Sequence, residues 1–246
     1  MKNITKKSNL ILISISFFVF AISACSPKVQ TIVSHRYDSL DFASEVAVFD
    51  INDTPPLDAE ILGTVKVGDT GFSTNCGYAT ALDQAQLEAR KIGGNAIQVT
   101  EHKLPSAFGS TCHRITAKIL KLNNLQDYLA RQHEADAPDS TWNYAKLYVY
   151  RGSGAGMLIA YNLMLNDSVI CRVKSNSKSE VYITTPGTYR LSARTESSTE
   201  LPIEIELGRE YYIRCGLAMG ILVGRPALEI APRRDGRAEY NALKIK

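Results

Sequence analysis

Five cysteines and four histidines carry most of the reactive chemistry this 246-residue sequence offers. The cysteines are Cys25, Cys76, Cys112, Cys171 and Cys215; the histidines are His35, His102, His113 and His133. Thiols can close disulfides, bind zinc or act as nucleophiles, and imidazoles can bind metal or move protons. A zinc site built on His102 or His113 would need ligands in short-spaced pairs, and the sequence has none, so no metal is expected. No nucleophile motif or paired-carboxylate signature accompanies the histidines, and none of them falls after residue 143. The expectation is a protein that is not an enzyme and holds no cofactor. That leaves disulfide formation, which depends on the compartment.

The first residues address the compartment. Lys2, Lys6 and Lys7 precede an apolar run from Leu10 to Ile22, about thirteen residues, which is too short for a bilayer span of roughly twenty. A basic start, a short apolar core and the small residues Ser23 and Ala24 before Cys25 describe an export signal over residues 1–24. Ile22-Ser23-Ala24-Cys25 resembles the lipobox of bacterial lipoproteins, with Ile in place of the usual Leu. The resemblance implies cleavage before Cys25 and acylation of its sulfur. A diacylglycerol supplies two chains, enough for stable membrane attachment. Ser26 and Pro27 carry no Asp of the familiar inner-membrane retention rule, so the expected address is a cell envelope, at the outer membrane.

Charge follows from that assignment. The whole chain has 28 basic and 25 acidic residues, and the leader removes three lysines and no acid. The remaining chain is balanced, so no electrostatic case for nucleic acid survives. With Cys25 acylated, four cysteines remain, an even number that suggests disulfides in an oxidising envelope. Four cysteines allow three pairings. Domain organisation favours Cys76–Cys112 and Cys171–Cys215, while buried unpaired thiols remain the alternative for each pair.

The elements that must position these groups fall into two halves. Residues 25–43 read as a polar tether. In residues 44–122 a strand at Glu45–Ile51 is stopped by Asn52-Asp53-Thr54-Pro55-Pro56, and a second strand runs from Glu60 to Gly68. After a Gly- and Asn-rich loop holding Cys76, the apolar positions Leu82, Ala85, Ala89 and Ile92 recur at helical spacing, and Gly93-Gly94 stops the helix. Strands at 96–102 and 113–122 flank a loop that carries Cys112. The expected unit is α+β, in the order β-β-α-β-β. Residues 123–143 read as a linker with a short polar helix. From Tyr144 to Lys246 the period becomes two, in about eight short segments separated by turn residues such as Asn166-Asp167 and Pro186-Gly187. This pattern predicts an antiparallel β-sandwich.

Two further resemblances bear on these halves. "ILGTV", a Cys-containing loop, "LEARKIGGNAIQV" and a second Cys before a final strand make residues 45–121 similar to the small periplasmic domain of the Rcs envelope-stress sensor lipoprotein. That domain is held by four cysteines; here only Cys76 and Cys112 occur, which supports one bridge. "AKLYVYR", "VYITTPGTYRLSARTE" and "YYIRCGLAMGILVGRPALEI" resemble a lipoprotein domain family of unknown function, covering about residues 144–246. The resemblance implies a fold and an envelope setting, and no reaction.

Other motifs have structural readings. "RGSGAGM" (Arg151–Met157) is followed by an alternating strand, so it predicts a turn and not a phosphate loop. "GLAMGILVGRP" holds Gly220 and Gly224 at the spacing of a membrane helix dimer, but its apolar run is too short to cross. It predicts a buried strand and tight loop, or an exposed apolar loop that touches lipid or a partner, with Arg225 expected to have a defined partner. Tyr148 and Tyr150 share one strand face and are expected to cover the sandwich core. The function expected from the whole is a non-enzymatic envelope lipoprotein, anchored in the membrane, that binds an envelope protein or component through its sandwich. The alternative is a sensor that exchanges partners under envelope stress.

Overall fold

The computed structural model describes residues 27–71, 76–106, 109–135, 137–154, 156–218 and 224–245. The lipobox cysteine Cys25 and the glycine Gly220 lie outside the described residues. The fold is α+β and mostly β. Among the described residues no helix is long and apolar enough to cross a membrane.

The first half is a five-stranded sheet in the order β1-β3-β5-β4-β2. Its strands are β1 (Lys28–Val33), β2 (Ala47–Phe49), β3 (Glu60–Gly68), β4 (Ala96–Lys103) and β5 (Arg114–Lys121). Helix α1 (Tyr78–Lys91) covers one face and buries Tyr78, Ala81, Leu82, Ala85 and Ala89. This is the small-residue stripe of the sequence, and it lets the helix sit close above Val65, Val67, Ile97 and Ile119. Gly93, at φ +80°, ends it; a Cβ there would lie 2.6 Å from that of Tyr37. Helix α2 (Leu125–Ala135) covers part of the opposite face, where Phe49 meets Tyr128 with ring centroids 4.2 Å apart.

The supposed tether is part of the sheet. β1 pairs antiparallel with β3 from Lys28↔Gly68 to Val33↔Gly63. Thr31 Oγ1 donates to Glu88 of α1 at 2.7 Å, and the Tyr37 and Leu40 amides donate to the Ile92 and Arg90 carbonyls at the end of α1. The alternation of Val29 and Thr31 is weak in the sequence because β1 is an edge strand with one neighbour, so polarity dominates this stretch.

The second half has eight strands: β6 (Ala145–Arg151), β7 (Tyr161–Leu165), β8 (Ser168–Val173), β9 (Ser177–Ile183), β10 (Gly187–Arg194), β11 (Ser198–Ile205), β12 (Glu210–Ala218) and β13 (Arg225–Ala231). They form two four-stranded sheets, β11-β10-β7-β8 and β13-β12-β6-β9. Leu147, Val149, Leu163, Leu191, Ile203 and Ile213 fill the core between them. Pairing is not antiparallel throughout: β12 runs parallel to β6. β12 enters from the opposite sheet and takes the open side of β6, so its direction is set by that crossing. The prolines Pro202 and Pro226 sit on the edge strands β11 and β13, where a missing N–H is tolerated. Asn166 and Asp167, both at positive φ, make the β7–β8 turn.

A third helix was not legible from periodicity. Helix α3 (Arg233–Ala242) follows β13 directly, with Pro232 as its N-cap. It lies on β12 and reaches back to the first half. Ala238 belongs to the core beneath α1, and Arg237 pairs with Asp53 at 2.6 Å. Gly236 makes the close approach possible, since a Cβ there would lie 2.2 Å from the Tyr212 Cβ.

Candidate functional site

The seam between the halves holds a largely buried polar cluster, and each member arrives there for a local reason. In β4 the register against β5 shifts between Val99 and Glu101, leaving Thr100 as an extra residue. The bulge moves Glu101 outward and turns His102 to the helix-covered face, opposite Ile115. Cys76 and Cys112 form a disulfide with Cα atoms 5.0 Å apart, joining the start of α1 to the start of β5. The His113 amide donates to the Cys76 carbonyl at 3.1 Å, so the bridge sets the next residue, His113, beside His102. Tyr78, at the first turn of α1, stacks on the His102 ring at 4.3 Å.

From the other half, β6 and β12 present Tyr150 opposite Arg214, and β13 presents Glu229 opposite Arg214. Glu239 of α3 enters the middle of this row. Arg214 Nε and Nη2 each donate to a Glu239 carboxylate oxygen at 2.7 Å, and the Tyr150 hydroxyl donates to Glu239 Oε2 at 2.7 Å. Arg214 Nη1 donates to Glu229 at 2.8 Å. Such a two-pronged guanidinium–carboxylate pair is the strong form of charge-assisted hydrogen bonding. His113 Nε2 lies 3.7 Å from Glu239 Oε1, and His102 Nε2 and His113 Nδ1 are 2.8 Å apart.

Burial controls the titration of this cluster. It pulls His102 down to about 4, with His113 adding to the effect. Burial also pulls His113 down to about 4, with the Arg214 charge adding. Both rings are therefore neutral near pH 7. A proton on His102 Nε2 then donates to His113 Nδ1 and leaves the His113 Nε2–H toward Glu239, an assignment made from the network. Burial and then the Glu239 charge push the Tyr150 hydroxyl well above its ordinary range. Arg214 is disfavoured by burial but held firmly protonated by Glu239. These groups bond chiefly to one another, although the buried His102 Nδ1 has no hydrogen-bond partner among the described residues, and the arrangement acts as a clasp.

A cavity of about 430 Å³ opens on the far side of α3, lined from both halves by Val48, Asp50, Tyr78, Leu129, Arg234 and Arg237 among others. Tyr78 is 3% exposed, and its hydroxyl has no hydrogen-bond partner among the described residues. Asp50 is likewise buried, which raises its carboxyl above the ordinary range; the Ile51 amide donates to one of its oxygens at 2.8 Å. Its walls are mixed: Val46, Val48 and Leu129 stand beside the charged Asp50, Asp53, Arg234 and Arg237, so it suits a polar or charged ligand group. Among the described residues no three His, Cys, Asp or Glu side chains converge as metal ligands would.

The other sequence candidates are placed as follows. Cys171 and Cys215 are not joined; both are free thiols. Each sits beside its own hydroxyl, Cys171 by Ser179 and Cys215 by Tyr161, and both pack into the core between the sheets. Burial pushes Cys171 up to about 11 and Cys215 up to about 12. Arg225 begins β13 exposed to solvent, without a side-chain partner among the described residues, against the expectation of a defined one. The Gly224 carbonyl accepts from Thr195 Oγ1 at 3.0 Å, a structural contact. Residues 156–158 make a turn, and the carbonyls around it hold the buried Arg151: Nη1 donates to Ile159 at 2.7 Å and Nη2 to Gly156 at 2.9 Å. Tyr148 and Tyr150 do share a face, but it is the outer face of the sheet beneath α3. There Tyr148 stacks on Tyr212 at 4.8 Å and meets Tyr240 edge-on at 5.0 Å.

Sequence reasoning missed Glu239, Arg214, Tyr78 and Asp50. Arg214 lies in a stretch that reads correctly as a strand, Glu239 in a helix that periodicity does not show, and Tyr78 and Asp50 at element ends, so only the meeting of the halves gives them a role.

No family model matches the chain, and no solved structure matches it. An uncharacterised protein of Haemophilus influenzae is 28% identical over 103 residues, which span 40% of this chain and 59% of that protein. The chain thus covers less than two thirds of that relative's length, and the likeness carries no activity.

Proposed function

We propose that this chain is an exported, non-catalytic lipoprotein of the cell envelope, held at the outer membrane by acylated Cys25, that binds an envelope component. The anchor reading rests on the leader and the lipobox-like Ile22-Ser23-Ala24-Cys25. A Cys76–Cys112 bridge fits an oxidising compartment. The eight-stranded half serves as the sandwich domain, and its role is shared with the seam. The binding site is placed in the cavity between the halves and not around Arg225. The observation that carries this choice is the Tyr78 hydroxyl and Asp50 carboxyl buried within that cavity.

Site-specific photocrosslinking in cells tests the choice. A crosslinker at Val48, on the cavity wall, should capture an adduct that one at Arg225 does not. Capture from Arg225 and not from Val48 would return the site to the sandwich loop. The sensor alternative predicts that the captured partner changes under envelope stress, and an unchanged partner would count against it.

A further inference from the structure

The second face of the five-stranded sheet is only partly covered. Helix α2 packs over Phe49, Ala96 and Leu120 at one side. The remainder is an open surface, and pairing register determines what it shows. Lys28 is opposite Gly68, Gln30 opposite Lys66, Lys66 opposite Thr116, Thr64 opposite Lys118, and Lys103 opposite Arg114. Their neighbours in each strand, Val29, Val65, Val67, Ile115 and Ala117, point to the α1 side. The open face therefore presents Lys28, Lys66, Lys103, Lys118 and Arg114 against one carboxylate, Glu101, which pairs with Lys103 at 2.9 Å. A shallow depression of about 260 Å³ joins Lys28, Lys66, Lys103 and Arg114 across four strands. Outside the leader the charges of this chain balance, so this face is a real separation of charge.

Position gives that charge its meaning. β1 begins at Lys28, three residues after Cys25. Even fully extended, three residues reach only about 11 Å, close to the roughly 8–10 Å over which charges act at ordinary salt. An acyl chain on Cys25 thus leaves no spacer between the lipid and the edge of the sheet.

We propose that this basic sheet face lies flat on the phosphate headgroups of an anionic phospholipid membrane, so that the anchor and the face hold the protein together. The inference uses the lipid-anchor reading for orientation, and its test does not depend on acylation. The chain from residue 25 onward, carrying Cys25→Ser, is sedimented with vesicles rich in phosphatidylglycerol and with vesicles of phosphatidylcholine alone. Binding is expected only to the anionic vesicles, weakening as salt rises. Lys66→Gln and Lys118→Gln should each lower that affinity about fivefold, while Lys174→Gln and Lys244→Gln, outside the face, leave it unchanged. Equal binding to both vesicle types, no binding to either, or an equal loss from the outlying lysines would overturn the proposal. Intact mass of the membrane-extracted protein separately decides whether Cys25 is acylated, so the two readings fail independently.

Discussion

The two cysteine pairs show how differently the halves are held. Cys76 and Cys112 come from loops outside the regular pairing of the sheet, and they are bonded across 36 residues of sequence. Cys171 and Cys215 lie within strands and belong to the core between the sheets, where a thiol packs as a small apolar group. Both pairs come from the same composition argument, yet only the loop pair makes a bridge. The bridge ties together loops that no strand pairing joins, while the eight-stranded half keeps its two thiols as core groups without one. The first bridge also does more than staple, because it sets His113 into the clasp at the seam.

This contrast can be broken by experiment. Replacing Cys76 and Cys112 by Ala should cost about 4 kcal/mol of stability on loop-closure entropy. Urea unfolding checks that figure, and replacing Cys171 and Cys215 by Ala should cost clearly less. Before unfolding, the two core thiols should resist alkylation, since burial holds both well above the ordinary thiol range. In denaturant without reductant, two thiols should react in the described part of the chain. Four would show that the first bridge is absent.

Acid should act on the seam next. His102 and His113 are both held down near 4 in the fold, against 6.5 ordinarily. Between those values the unfolded chain binds more protons than the folded one. Their contribution is complete above about pH 6.5 and is lost as pH falls through about 4, up to about 3 kcal/mol for each ring. Asp50, raised by burial, works in the opposite sense and blunts the loss. Unfolding midpoints should therefore fall from pH 7 to pH 4, and an unchanged midpoint would remove the buried-imidazole account.

The smallest expected effect has an unusual sign. A glycine inside an exposed helix gains about 1 kcal/mol when replaced by Ala. Gly236 instead rests against Tyr212, so Gly236→Ala should lose about 1–3 kcal/mol by overpacking. A gain on thermal unfolding would mean that α3 does not sit tightly on β12.

Much of the architecture is legible in the sequence because it rests on local periodicity. The stripe Leu82, Ala85, Ala89 and Ile92, the Gly93-Gly94 stop and all eight strands of the second half follow from spacing and turn residues. What is not legible depends on distant partners. β1 looks like a tether because an edge strand with one neighbour alternates only faintly. α3 is hidden by four charged residues among its first five and a central glycine that only contact with Tyr212 explains. The side of the sheet that His102 takes is set by the bulge at Thr100, which nothing in the strand's own pattern marks. The seam site is missed for the same reason: Glu239 gains its meaning from Arg214 and Tyr150, which are 25 and 89 residues away.

α3 joins the two halves into one cooperative body: Glu239 fixes it to Arg214 and Tyr150, while Ala238 and Arg237 reach the core and Asp53 of the first half. Scanning calorimetry of the intact chain beside Glu239→Ala tests this directly, since the substitution leaves the buried Tyr150 hydroxyl without its acceptor and Arg214 with Glu229 alone. The account predicts one two-state transition for the native chain and two resolved transitions for the variant. Two transitions already in the native chain, or one undisturbed transition in the variant, would contradict it.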